Sequence, residues 1–568
     1  MSQKKVRKIK NVLAEVGEVR EGFILPKISE IFIKGWKVLL LAIVLVLFVY
    51  LNSLNGDFVS DDYASITQNP NINNISVMFN MGNTATITTY FTNLLFGFNS
   101  AFPFHFVNII WYVATIITAY VLLVLVTGNY FFSNVAILLF SVHPIHAESV
   151  SWISGRIYLI IAEYVMLSLI FFIKYLEKKN NKLLILSILF FVLGFLTDKP
   201  RPFSIFLLVI LYTFTVGFKK LKINTTKFFS VIFILLITGF LVAIPYINYR
   251  VSVVNSGYNQ SESVFYNPFF QYPTGISKYL QLLLIPIDLT LYHTMFTFPV
   301  WLNWLILIIF VINIIYFYFK NKYIFFSLGF LIVSVLPSIA PVKVSWLVAE
   351  RYMYLGSLGF CLFLAIVIEQ ISKKMRLLGY TILFSLIIIY SFRTFIRNND
   401  WSTNHKLWVN TCQVSPNSHN AWNNIGDDYD KLGDYTNAIK GFTQSVIVKP
   451  NYADAYHNRA NIFYKVGRLD MARDSYNVAL TFSPSLYQTY LSLTQIDLVE
   501  KKHDLAMAHI QQAIQLQPEN IQNYYLLSVI YAEIGKKEEA VALLKQILSK
   551  YPDYQLASDL LNKIAEVK

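Results

Sequence analysis

Three aspartates, Asp57, Asp61 and Asp62, stand in the stretch Asn55-Gly56-Asp57-Phe58-Val59-Ser60-Asp61-Asp62, directly after a long apolar run. A carboxylate so placed can take a proton from an attacking hydroxyl. It can also cap a helix start, where aspartate satisfies free N–H groups and complements the dipole. Both readings stay open for Asp62; for the pair, beside Asn69-Pro70, chemistry is the stronger reading. Similar residues recur where other apolar runs end. His143-Pro144-Ile145-His146-Ala147-Glu148-Ser149 is followed by Trp152, Gly155 and Arg156. Asp198-Lys199-Pro200-Arg201-Pro202 is a second such stretch, and Lys343, Trp346, Glu350, Arg351, Tyr352 and Tyr354 form a third. Carboxylates mixed with several cations suit a reaction that needs a base and must hold an anionic leaving group such as phosphate. His143 and His146 could ligate a metal, but Pro144 prevents the helical pairing of metalloprotease histidines and no cysteine lies near. No metal site or cofactor is assigned, and a divalent cation stays open. Glu350-Arg351 also reads as an interfacial ion pair, with Arg351 a snorkelling cation.

The elements that must position these residues are apolar. The 568 residues are 55% hydrophobic and 16% aromatic, with 14% charged, which is a membrane-protein composition. The net charge of +14 sits largely in short Lys/Arg clusters between apolar runs. That marks cytoplasmic loops and argues against nucleic acid as a partner. Cys361 and Cys412 offer no disulfide framework. Residues 1–35 read as a basic cytoplasmic arm, and the run 38–51 after it, which lacks a small-residue cleavage site, as an uncleaved first span. Apolar runs follow near 36–54, 104–127, 130–143, 157–176, 183–197, 203–217, 228–248, 301–319, 323–341, 352–371 and 376–396. This predicts about eleven spans. A further run, 275–292, contains Pro286 and Asp288; it is expected to be re-entrant or to lie at the outer face. With that parity, the Lys/Arg-rich loops 177–182, 217–227, 320–322 and 372–376 all fall inside. The loops carrying the reactive residues, 55–103, 144–156, 198–202, 249–300 and 342–351, all fall outside.

Beyond Arg397 the pattern changes. Prolines recur at Pro416, Pro450, Pro484, Pro518 and Pro552, a step of 34 residues, the period of tetratricopeptide repeats. In that register a small residue falls on Ala438, Ala472, Ala506 and Ala540, and a large one on Phe442, Tyr476, Ile510 and Leu544. The first-helix aromatic is Trp422, Tyr456, Tyr490 and Tyr524. Residues 398–418 read as a linker with a partial repeat. Residues 419–568 read as the repeat domain, closed by a capping helix with Leu556, Leu560 and Leu561 on its inner face.

Phe58-Val59-Ser60-Asp61-Asp62 with Ile66 resembles the first outer loop of membrane glycosyltransferases of the C-type fold. The stretch His143 to Val150 with Gly155-Arg156, and Ala349-Glu350-Arg351-Tyr352-Met353-Tyr354-Leu355 with Ser357 and Gly359, resemble one branch of that group. The branch is the transmembrane and tetratricopeptide repeat-containing O-mannosyltransferases. Arg397-Asn398-Asn399-Asp400-Trp401 is similar to the segment joining their halves. The resemblance implies an all-α chain, with a polytopic glycosyltransferase domain over 36–397 and the repeat solenoid behind it. It also implies a polyprenyl-phosphate sugar donor, usually mannose, drawn from the membrane lipid, and a hydroxyl acceptor on a polypeptide held by the repeats. By the motif match Asp61 takes the catalytic position and Asp62 supports it. His143, His146, Glu148, Arg156, Glu350 and Arg351 would shape the cavity and hold the donor phosphate. Asp198, Lys199 and Arg201 fall where the animal proteins carry a different stretch, and Asp198 would substitute for its glutamate. The Phe/Ile/Asn/Lys-heavy composition points to a bacterial plasma membrane, with the repeats on the non-cytoplasmic side. Two other readings fit the same residues: the same fold acting on a glycan or lipid acceptor, and a membrane-anchored repeat scaffold without enzymatic activity.

Overall fold

Asparagine starts many of the helices. The side chains of Asn83, Asn129, Asn180, Asn267 and Asn321 each accept a hydrogen bond from a backbone N–H in the first turn that follows. The computed structural model describes residues 25–80, 83–221, 267–339 and 346–566, with isolated positions between 226 and 248. Most of the basic N-terminal arm, the expected span 228–248, residues 249–266 and Lys343 lie outside the described residues. Two compact units result, divided after Asn410.

The first unit contains α1 (Ile28–Val49), α2 (Thr84–Phe96), α3 (Phe102–Thr127), α4 (Tyr130–Val142), α5 (Arg156–Lys178) and α6 (Asn181–Thr197). Then come α7 (Ser204–Val216), α8 (Pro268–Leu284), α9 (Val300–Lys320), α10 (Lys322–Val335), α11 (Ser357–Lys374) and α12 (Arg376–Asp400). Each expected span other than 228–248 falls on one of these helices. Among the described residues, five helices are long and apolar enough to cross a membrane: Ile28–Asn55, Phe102–Thr127, Ile153–Lys178, Val300–Lys320 and Arg376–Asp400. Tyr130–Val142 and Pro144–Ser151 form a sixth candidate, bent by 53°. Asn181–Thr197, Arg201–Val216 and Lys322–Ser338 are apolar but shorter. The last ten residues of α3 and nearly all of α4 are buried. In contrast α9 exposes Ile308, Ile309, Ile312, Ile315 and Phe319, and α12 exposes Phe384, Ile388 and Phe392. Helices apolar on their outward faces are solvated by lipid rather than water.

The connections differ at the two ends of the bundle. At one end they are tight: Gly128, with φ 62°, and Asn129 join α3 to α4. Lys179, with φ 53°, and Asn180 join α5 to α6, Asn321 joins α9 to α10, and Met375 joins α11 to α12. The long connections at the other end carry the candidate residues. The 275–292 run splits: α8 stops at Leu284, and a non-helical chain runs on to Pro299, with Pro286 unable to continue the helix.

The second unit repeats a helix pair: His419–Lys431 with Tyr435–Val448, Ala453–Lys465 with Leu469–Phe482, Tyr487–Val499 with His503–Leu516, and Ile521–Glu533 with Lys537–Lys550. Gln555–Glu566 closes the array. The small residues Ala438, Ala472, Ala506 and Ala540 are fully buried. The helices of the first pair approach so closely that a Cβ on Gly441 would lie 2.9 Å from the Gly426 Cα. The first-helix aromatic locks the register. Trp422 Nε1, Tyr456 Oη and Tyr524 Oη each donate to a proline carbonyl six residues earlier, at 2.7, 3.2 and 2.8 Å. The turn inside each pair needs a left-handed residue. Gly433, Gly467 and Gly535 supply it in three repeats, and Lys501, with φ 57°, in the other.

Candidate active site

The first loop leaves α1 through the 3₁₀ turn Leu51–Asn55 and is tied down at almost every residue. Phe58 and Ile66 pack with Ala101, Phe104 and Ile153 in a small apolar knot. The Asp57 N–H donates to the Ser402 carbonyl at 2.9 Å, and the Ser60 N–H to Asn404 Oδ1 at 2.8 Å. Asp62 is wholly buried. Its Oδ2 accepts from the Val59 N–H at 3.1 Å, and its Oδ1 accepts from the Ser154 N–H at 2.9 Å and from the Ser154 hydroxyl. Burial pushes its pKa up to about 7, against the pull of those donors. Asp61 is exposed, with a carboxyl that none of these contacts occupies. The surrounding protein raises its pKa above the usual carboxylate range, and nearby Arg351 pulls the other way.

The last loop is a single 3₁₀ turn, Glu350–Met353, whose first two residues point apart. Glu350 turns inward, accepting from the Thr290 N–H at 2.5 Å and pairing with Arg397 at 3.1 Å, with His293 Nε2 at 3.6 Å. Burial pushes its pKa up, but Arg397 and His293 outweigh that and hold it below the ordinary value. Arg351 turns the other way. Its N–H donates to Glu148 Oε2 at 2.8 Å, its guanidinium pairs with Glu148 Oε1, and its Nε donates to the Tyr158 hydroxyl at 3.2 Å. The Tyr352 ring lies 5.0 Å from that guanidinium. Arg201 lies against the same tyrosines, 4.7 Å from the Tyr158 ring and 4.8 Å from the Tyr352 ring, and is paired with Asp198. The two guanidiniums and two phenol rings line one cavity. Ile161, Ala162, Val165 and Leu355 make its apolar wall. The Glu148–Arg351 and Glu350–Thr290 contacts bring the second, fourth and last long connections together.

Other expected residues are placed differently. His143 and His146 are fully buried. His143 Nδ1 accepts from the Ile145 N–H at 3.2 Å, which leaves Nε2 to donate to the Leu283 carbonyl at 3.2 Å. His146 lies between the Tyr112 hydroxyl at 2.8 Å and Ser357 Oγ at 2.7 Å. Both knit helices together. Arg156 is engaged with α2 and α3, donating to Asn108 Oδ1 at 2.7 Å, the Phe104 carbonyl at 2.9 Å, and Thr88 and Thr89 Oγ1 at 3.4 and 3.2 Å. It therefore braces α2 and α3 and is not among the residues that line the Arg201–Arg351 cavity. Lys199 lies in the same connection as Asp198 and Arg201 and is likewise engaged with the protein. Among the described residues no group of three or more His, Cys, Asp or Glu is placed to hold a metal ion. Ser154, Tyr158 and Asn404 were not singled out from the sequence. A serine, a tyrosine and an asparagine carry no local signal, and only their distant partners mark them.

Tetratricopeptide-repeat family models match residues 423–486 and 498–564. A protein O-mannosyl-transferase of Caenorhabditis elegans is 27% identical over 449 residues, covering 72% of this chain and 63% of that protein. Protein O-mannosyl-transferase TMTC3 of Homo sapiens is 34% identical over 104 residues, 18% of this chain and 11% of that protein. The chain thus spans less than two thirds of the length of these curated relatives. Among solved structures, that of MamA is similar with 21% identity and a TM-score of 0.25, covering 26% of this chain and 86% of MamA. The nematode alignment is far longer than the repeat array, so it reaches into the helical unit that holds Asp61, Glu148 and Arg351. The chain is thus similar to proteins named as protein O-mannosyl-transferases, and its second unit carries tetratricopeptide repeats.

Proposed function

We propose that the protein transfers a sugar, mannose by its relatives' names, from a polyprenyl-phosphate carrier to a serine or threonine hydroxyl of a polypeptide. The observation that carries this reading is the exposed Asp61 carboxylate on a firmly held loop, near the Arg351 end of a cavity with cationic and apolar walls. Asp61 accepts the acceptor's proton as its oxygen attacks the anomeric carbon, in a single displacement with inversion. The bond to the carrier phosphate breaks in the same step. Phosphate leaves as a stable anion, so no acid is required on that side, unlike in glycoside hydrolysis. Arg351 and Arg201 hold the departing charge. Each guanidinium has five N–H donors, more than its carboxylate and hydroxyl partners use. Glu148 and Asp198 hold the two arginines in place, and Tyr158 and Tyr352 orient their planes. The apolar wall of Ile161, Ala162, Val165 and Leu355 receives the first part of the isoprenoid chain, and the repeats present the acceptor polypeptide. The reaction takes place at the non-cytoplasmic face of the plasma membrane, where such lipid-linked sugars are used.

The test is Asp61→Asn in membranes supplied with a polyprenyl-phosphate sugar and an acceptor peptide. Transfer is expected to be lost with expression unchanged, and full transfer would remove the assignment of the base. Equal transfer to a free oligosaccharide, with none to peptide, would shift the acceptor class.

A further inference from the structure

Among the described residues only Ser60, Lys179 and Lys501 have positive φ without being glycine. The two lysines sit in turns that end helices, where a left-handed residue is routine. Ser60, with φ 53°, sits in the first loop, directly before Asp61. Such a conformation is unfavourable for an L-residue, and it persists only where the surroundings over-determine it. The group that holds it is visible. The Ser60 N–H donates to Asn404 Oδ1 at 2.8 Å. Two residues away on the same segment, the Ser402 carbonyl accepts from the Asp57 N–H at 2.9 Å.

That segment is itself a rigid post. Trp401 is buried and stacks on Trp152 with ring centres 5.7 Å apart. Asn398 donates to the Val49 carbonyl at 2.9 Å and accepts from Ser151 Oγ at 2.9 Å. Asp61 is therefore suspended between two anchors: Ser60, held by Asn404, and Asp62, held by Ser154. Release of the first anchor lets Ser60 relax to negative φ, which turns the 60–61 peptide and re-aims the exposed carboxylate. A neutral amide suits the post. A carboxylate in its place would still accept the N–H, but it would add negative charge beside Asp61 and Asp62.

We propose that Asn404 is a positioning residue for Asp61, holding the Ser60–Asp61 turn in its left-handed form so that the carboxylate faces the acceptor hydroxyl. This rests on the reading of Asp61 as the base.

The test is a double-mutant cycle in the full-length protein in membranes, with polyprenyl-phosphate mannose and an acceptor peptide. It is combined with amide hydrogen exchange over residues 56–63. Asn404→Ala is expected to lower kcat by roughly tenfold or more, as for a misplaced catalytic group, with the donor KM unchanged. In the Ser60→Gly background, where the left-handed form carries no strain, the same change should cost less than about threefold. Exchange at Ser60–Tyr63 should quicken in Asn404→Ala. Asn404→Asp should keep slow exchange and move the acid limb of the pH profile upward, by raising the Asp61 pKa. Equal losses in both backgrounds, or unchanged exchange in Asn404→Ala, would overturn the proposal. If Asp61→Asn keeps wild-type turnover, the base assignment fails instead, and the exchange result still decides whether Asn404 holds the loop.

Discussion

Asp61 and Asp62 are chemically identical neighbours, and the structure predicts opposite outcomes for the same substitution at each. Asp62→Asn replaces a carboxylate that accepts from three donors: the Val59 N–H, the Ser154 N–H and the Ser154 hydroxyl. The amide can keep its oxygen toward Ser154, but its NH₂ then faces the Val59 N–H. Leaving the buried Val59 N–H without its acceptor costs about 1–3 kcal/mol. pH modulates this. The Asp62 pKa rises from an ordinary 3.8 to about 7 on folding, so the native state holds a proton that the unfolded chain has released. Stability therefore falls as pH rises from about 4 to about 7, by at most about 4 kcal/mol at 1.36 kcal/mol per pH unit. Asp62→Asn should flatten that slope and lower the melting temperature of the helical unit at acidic pH. Asp61→Asn should leave the melting temperature at acidic pH unchanged while abolishing transfer. Thermal unfolding of the detergent-solubilised protein between pH 4.5 and 7.5, paired with a transfer assay, measures both effects. A melting loss in Asp61→Asn equal to that in Asp62→Asn, or an unchanged pH slope in Asp62→Asn, would refute the division of labour between the two.

Glu148→Ala leaves the buried Arg351 guanidinium without its carboxylate, and should destabilise the helical unit by about 3–5 kcal/mol in thermal unfolding. The acid limb of kcat/KM should lie above the ordinary carboxylate range, because Asp61 must be ionised to accept a proton and its pKa is raised. Arg351→Gln removes a neighbouring positive charge and should shift that limb upward in the pH profile. Lys501→Gly, at the left-handed position that glycine fills in the other three repeats, should stabilise the array by about 0.5–1 kcal/mol. Slower limited proteolysis across the third repeat would register it.

The helices, their tight turns and the repeat register were legible because each rests on neighbours in sequence. An asparagine caps the turn that follows it, Gly128 allows a hairpin, and an aromatic reaches a proline six residues back. What each reactive side chain does was decided only in three dimensions. Asp62 meets Ser154 across 92 residues, Glu148 meets Arg351 across 203, and Ser60 meets Asn404 across 344. A partner that far along the chain leaves no periodicity or spacing to read. So the two histidines looked like cavity residues until helix packing turned them inward, and Arg156 looked like a phosphate ligand until α2 and α3 engaged its donors. Glu350 and Arg351 looked like one pair until the 3₁₀ turn pointed them apart, to Arg397 and to Glu148. Residue type and spacing determined which side chains could react. Burial and long-range pairing then left one of the two adjacent aspartates exposed and committed the other to holding the loop, because a buried carboxylate persists only where donors surround it.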